Sequence, residues 1–315
     1  MGAIQFSALL TALPGNISQG LIWGIMALGV FITFKLLNFA DLSVDGTMAT
    51  GGAVVVVLIL SGWNPLAALL VAFIAGILAG LVTGILHTLL GIPDILSGIL
   101  TQLALYSINL RILGGKANQG ISVDKYDLLI SSRTVSHAIV IGLVFTVALI
   151  IILYWYFGTE QGCAIRATGS NEHMARAQGI NTKTMKILAL ALSNGIVAIS
   201  GGLLAQYQGF ADVSMGRGAI VIGLAAVIIG EVLLNAVFKK PTPFTVRLGF
   251  IALGGVIYYI VIGIVLWLRM PSNDMKLFSA IIVAIFLAVP YLKDKSGFKK
   301  APKKVKKAEE VEENA

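Results

Sequence analysis

Charged residues are distributed along this chain so that long apolar runs lie between them. None precedes Lys35, and no Asp, Glu, Lys or Arg occurs from 46 to 93. A bilayer core of roughly 30 Å takes about 20 apolar helical residues. On that measure nine spans are predicted: 17–34, 47–61, 66–90, 95–112, 137–157, 186–207, 218–238, 245–268 and 276–292. Gly62-Trp63-Asn64-Pro65 divides the second from the third, and Gly91-Ile92-Pro93-Asp94 the third from the fourth.

Composition excludes the soluble alternative. Of 315 residues 57% are hydrophobic and 12% charged, with mean hydropathy +0.91, whereas soluble domains carry about 25% charged residues. The 35 glycines suit helices that pack closely in a membrane. The net charge of +8 owes much to six lysines between Lys299 and Lys307, a polar tail suited to a lipid surface or to solubility rather than to nucleic acid. Cys163 is the single cysteine, so no internal disulfide forms. The uncharged start lacks the basic region of a signal peptide.

Loop charge sets an orientation. The side holding Lys35, loop 158–185 with the adjoining Lys186, the Asn235–Arg247 turn and the tail carries sixteen Lys and Arg, eight of them in the tail, against seven on the other side. The positive-inside rule then places the N-terminus outside and the tail in the cytoplasm of a multi-pass plasma (inner) membrane protein. Residues 1–16 form an extracytoplasmic segment, 17–292 the membrane region, and 293–315 a charged, disordered tail. An echo supports duplication: Phe39-Ala40-Asp41-Leu42-Ser43-Val44 recurs as Phe210-Ala211-Asp212-Val213-Ser214-Met215. In this topology the two copies follow oppositely directed spans, the plan of inverted-repeat transporters.

Several patterns bear on chemistry. Gly76, Gly80 and Gly84 form a side-chain-free strip for helix packing, as do Gly20 and Gly24. Gln102, Tyr106 and Asn109 share a helix face extended by Gly98, suited either to a solute path or to a tie between helices. Ser193, Asn194 and Ser200 carry the same two meanings, and His87 is expected at an interfacial helix end. The middle of nearly every span lacks an ionisable residue; Glu231 comes closest. That disfavours ion-coupled transport, although sodium can be held by neutral oxygens.

In the loop from Gly162 to Asn181, Ser170 or Asn171 can cap a helix of about two turns that opens on Glu172 and ends at Gly179. Catalysis is not expected. Gly114-Gly115-Lys116 has Leu110 and Ala117 where a phosphate loop needs glycine and Ser or Thr, and HExxH, CxxC and GxSxG are absent. Asp41 and Asp45 lack the GxGD setting of a membrane protease. No metal site is expected.

The loop GCAIRATGSNEHMARAQGIN with the following KTMKILALALSNGIVAISGGLLA resembles the branched-chain amino acid transport permease family of ATP-binding cassette importers. The resemblance extends over about residues 15–292. It implies an all-α, type II importer-like permease whose loop docks on a cytoplasmic ATPase dimer through Arg166, Asn171, Glu172, Ala175 and Gly179. It also implies a second permease copy and an extracytoplasmic solute-binding protein, with ATP and magnesium on the ATPase and no cofactor in this chain. Gln102, Tyr106, Asn109 and Asn194 are the candidate path residues. Many family members carry FAHGE after the first span. Here FADLSVDG, with Asn273-Asp274-Met275-Lys276-Leu277, looks like a subgroup assigned to tryptophan and tyrosine uptake. An amino acid, aromatic ones included, is the expected solute; nucleosides, sugars and an ion-coupled carrier are the alternatives.

Overall fold

The computed structural model describes residues 6–238 and 242–267, with isolated positions between 277 and 288. Helix α1 (Phe6–Phe31) runs into a π-helical turn, Ile32–Leu36. Helices α2 (Val44–Leu60), α3 (Pro65–Thr88) and α4 (Asp94–Ile112) follow, then strand β1 (Asn118–Gly120) and α5 (Val135–Phe157). Two short helices, α6 (Glu160–Ser170) and α7 (Glu172–Ala177), lead to α8 (Thr182–Gln208), β2 (Phe210–Asp212), α9 (Ala219–Val237) and α10 (Phe244–Trp267). Seven of these helices are long and apolar enough to cross a membrane. The eighth, α2, has 17 residues and is buried along most of its length.

Helix α8 lies against α1, α2 and α3, and α10 lies between α1 and α9. Glycine lets these backbones meet. A Cβ on Gly76 or Gly80 would stand 2.4 Å from the Asn194 carbonyl oxygen or 2.3 Å from that of Leu190, and one on Gly84 would meet the Ile187 Cα at 2.9 Å. Gly20 and Gly24 bring α1 onto α10 in the same manner. Ser193 and Ser200 donate to the carbonyl oxygens of Gly29 and Ile22, each at 2.7 Å, and so tie α8 to α1. In an apolar medium such a bond also removes the cost of a lone hydroxyl. The outward faces of α3, α4 and α5 are apolar, with Leu70, Ile74, Ile108, Val140 and Ile151 exposed, which suits lipid.

Three expectations are corrected. The first helix opens at Phe6 rather than near Ile17 and continues through Pro14. Loop 158–185 holds a second helix, α6, ahead of the one anticipated. The fold is not purely α: β1 and β2 pair antiparallel with Asn118 opposite Asp212 and Gly120 opposite Phe210. Three-residue strands are too short to show an alternating pattern, and they form because backbone groups in the long α4–α5 connection need partners. The Ile121 amide donates to Gly209 (2.8 Å) and the Val213 amide to Ala117 (3.0 Å), extending the ribbon. Gly114 and Gly115, at φ +67° and +81°, turn the chain after α4, in keeping with the absence of a phosphate-loop pattern there. The ninth span, 276–292, lies outside the continuously described residues.

Candidate functional site

The two Phe-Ala-Asp segments are built alike. Asp41 Oδ1 accepts from the Ser43 amide (2.9 Å) and hydroxyl (2.5 Å); Asp212 Oδ1 accepts from the Ser214 amide (2.7 Å) and hydroxyl (2.5 Å). Each turn is followed by a helix, α2 from Val44 and α9 from Ala219. Asp41 is 1% exposed, and its Oδ2 accepts from Asn194 Nδ2 at 2.7 Å. Asn194 Oδ1 in turn accepts from Thr47 (2.6 Å) and Ser43 (3.2 Å). Asn194 stands 12 residues into α8 from Thr182 and 14 from Gln208, roughly 18 and 21 Å from its ends. A carboxyl therefore sits at mid-depth. The expectation of a nearly charge-free middle missed it because Asp41 lies between spans, on a segment the fold turns inward.

Asp45, in the first turn of α2, reaches across to the start of α9. Its Oδ2 accepts from the Gly218 amide (2.8 Å) and its Oδ1 from that of Ile220 (2.9 Å). These amides have no partner within the helix, and a carboxylate at a helix start also meets the positive end of the dipole. The two backbones touch: a Cβ on Gly216 would lie 2.0 Å from the Asp45 carbonyl oxygen. Beside this junction is a cavity of about 140 Å³, open on one side and lined by Asp45, Gln102, Tyr106, Asn109, Ser214 and Arg217, among others. Three of the four sequence-predicted path residues thus share one cavity. Asn194 is not among its lining residues and belongs to the Asp41 network. Asn109 Nδ2 donates to the Gly46 carbonyl at 3.3 Å, while its Oδ1 is buried with no donor among the described residues.

Asp45, Ser214 and Arg217 were not anticipated beside Gln102, Tyr106 and Asn109. Their signal was present, since both acidic turns belong to the repeated hexapeptide or its neighbour, but only the fold brings the copies together. Glu231 takes no part in the cavity. It is ion-paired to Lys35 (2.8 Å) and Arg247 where α1, α9 and α10 end or begin. His87 Nδ1 hydrogen-bonds the Ile92 carbonyl oxygen at 2.9 Å, and its ring packs edge-on to Phe39.

At the far end from the ribbon, α6 and α7 form a knob. Asn171 Oδ1 caps α7 by accepting from the Met174 amide at 3.0 Å, and Gly179 ends the segment at φ +83°. Ala175 is buried. Glu172 points back onto α8, pairing with Lys186 (2.8 Å), Arg176 and the Thr182 hydroxyl (3.2 Å). His173, Met174, Ala177 and Gln178 face outward, and Met174 is 60% exposed. Arg166 stands apart on α6, over the Phe244 ring at 5.8 Å. Gly169 of α6 presses on the π turn that ends α1, where a Cβ would be 1.8 Å from the Leu36 carbonyl oxygen. The knob is therefore seated directly on the strand of chain that leads to Asp41.

The hydrogen bond from Lys186, aided by Arg176 and opposed by partial burial, holds the Glu172 carboxyl down to about 2. A carboxyl depressed in the folded state stabilises it above the ordinary value of 4.5, and that contribution is lost as pH falls toward 2. Amide exchange in α7 is expected to hold steady from neutral pH to about 5 and then to rise relative to α6 on acidification. Glu172→Gln should flatten this dependence. Hydrogen-exchange mass spectrometry checks both.

The family described as branched-chain amino acid transport system / permease component matches residues 15–290. A tyrosine transport system permease protein of Clostridioides difficile is 42% identical over 271 residues, covering 86% of this chain and 88% of that one. An uncharacterised protein of Rickettsia prowazekii is 31% identical over 191 residues, 61% and 65% of the two chains. An autoinducer 2 import system permease protein of Yersinia pseudotuberculosis is 31% identical over 176 residues, 55% and 48%. No solved structure matches.

Proposed function

Because the chain belongs to the branched-chain amino acid transport permease family, as a multi-pass membrane subunit of an ATP-binding cassette system, we propose that it imports an aromatic amino acid. It is a transport subunit and not an enzyme. The observation that carries the solute is the tyrosine-system relative, alike over most of both chains. The cavity with charged and amide side chains at the α2–α9 junction supports a path for a polar solute there, lined by Gln102, Tyr106 and Asn109.

In this reading two permease copies enclose the path, and an extracytoplasmic binding protein delivers the solute to the ribbon end. A cytoplasmic ATPase dimer, carrying ATP and magnesium, grips the α6–α7 knob. The N-terminus lies outside, the 293–315 tail inside, and a ninth span, 276–292, completes the count. The matching hydrogen bonds of Asp41 and Asp212 to Ser43 and Ser214 support an inverted repeat of two halves. Asn171 caps the docking helix, Ala175 and Glu172 seat it, Gly179 ends it, and Met174 and His173 offer the contact surface. Arg166 braces α6 beside it. The system reconstituted in liposomes with its ATPase and binding protein should accumulate tyrosine only with ATP and without regard to sodium or proton gradients. Accumulation driven by an ion gradient with the ATPase left out would overturn the proposal.

A further inference from the structure

We infer that the cavity at the α2–α9 junction is a subsite for the zwitterionic head of the travelling amino acid, with Asp45 facing the α-ammonium and Arg217 the α-carboxylate. The inference rests on the amino acid reading above and adds how this chain recognises that class of solute.

The cavity brings one carboxylate and one guanidinium to a shared space. Asp45 is fixed in place by the Gly218 and Ile220 amides; a carboxylate has about four acceptor sites, so two bonds leave it able to accept an ammonium. Arg217 is exposed and its planar fork matches a carboxylate in two parallel bonds. Asn109 is independent of both. It is 0% exposed, lines the cavity, and holds an Oδ1 with no donor among the described residues. A buried acceptor left unmatched is unfavourable, and an ammonium proton would satisfy it. Gln102 and Ser214 add neutral donors and acceptors to the same wall.

The volume and the open side divide the solute in two. About 140 Å³ has room for an amino acid head, and the open side leaves a large side chain free to extend out of it. Leu103 and Tyr106, at 64% and 48% exposed, stand at the wall and at the surface, giving an apolar and aromatic exit for the side chain. Charge complementarity at the head with tolerance beyond it favours amino acids as a class over sugars and nucleosides, which lack paired opposite charges. The family of the solute is thereby set in the permease, and the particular side chain elsewhere.

The test uses the permease–ATPase complex in lipid nanodiscs, without the binding protein, and saturation-transfer NMR with tyrosine, tyramine and 3-(4-hydroxyphenyl)propionate. The wild-type complex should favour tyrosine about tenfold over either analogue, the loss of one charge-assisted contact. Arg217→Gln should bring tyrosine down to the tyramine level, and Arg217→Lys should restore most of the difference. Asp45→Asn, which keeps an oxygen to cap α9, should bring tyrosine down to the level of the acid. Equal binding of all three by the wild type, no binding of tyrosine, or an undiminished preference in Arg217→Gln would each overturn the subsite. ATP-driven tyrosine accumulation by the full wild-type system is measured alongside. If it occurs while the NMR preference is absent, the subsite fails and the transport proposal stands; if it is absent while binding discriminates, the reverse holds.

Discussion

Gly201→Leu is expected to abolish the folded permease. A Cβ at this position would stand 1.9 Å from the Met48 carbonyl oxygen, and the reciprocal Gly51 would place one 2.0 Å from that of Ala198. The obstructing atoms are backbone, so no rotamer change relieves the clash; α2 and α8 must part. Separation would break the Thr47–Asn194 and Asn194–Asp41 hydrogen bonds and leave a carboxyl at mid-depth without its amide donor. Ordinary overpacking costs roughly 1–3 kcal/mol, and the loss here should exceed it because helix contact and buried polar pairing fail together. Size-exclusion chromatography of detergent extracts should show no monodisperse peak. Gly249→Ala is the contrast. That glycine lies inside α10 with nothing within 4 Å of an added Cβ, so the substitution should be neutral or stabilise by up to about 1 kcal/mol through helix propensity. A well-behaved Gly201→Leu protein would mean that the α2–α8 contact is not a close one.

Met174→Glu should abolish coupled transport while leaving the permease folded. Met174 is the large apolar side chain at the outward tip of α7, and truncating or charging a central interface anchor costs about 2 kcal/mol or more, some 30-fold in affinity. The expected result is normal yield and thermal stability, with ATPase co-purification and solute uptake both lost. Gly179→Trp should act by a different route. At φ +83° a side chain strains the turn by roughly 1–2 kcal/mol and projects into the open space that a partner would enter. Glu172→Arg should also uncouple, since it sets a third cation against Arg176 and Lys186 in place of the carboxylate that holds α7 down. Uptake at wild-type rates by Met174→Glu would place the ATPase contact elsewhere on the chain.

Much of the architecture was written in the spacing of charge. The boundaries of α3, α4, α5, α9 and α10 fall within two residues of the apolar runs that predicted them, because in lipid an apolar run of that length has no stable form but a helix. The cap at Asn171 and the stop at Gly179 were equally legible, being local: an amide oxygen within reach of its own helix start, and a glycine where the chain must turn left-handed. The ribbon and α6 were not, since one draws its stability from a partner strand 92 residues away and the other from its seat on the π turn.

The site divides along the same line. By itself the sequence determined that the chain is a helical membrane permease, which residues share the polar face of α4, and where its signature loop lies, because each depends on residues within a few turns of one another. Only the tertiary structure decided that Asp41 is buried at mid-depth, that Asp45 holds the start of a helix 173 residues on, and that Arg217 closes the same cavity as Gln102 and Asn109. Those facts depend on glycine-lined backbones meeting at distances that no single segment encodes, and the cost of leaving a polar group alone in an apolar medium then selects which distant partners it finds.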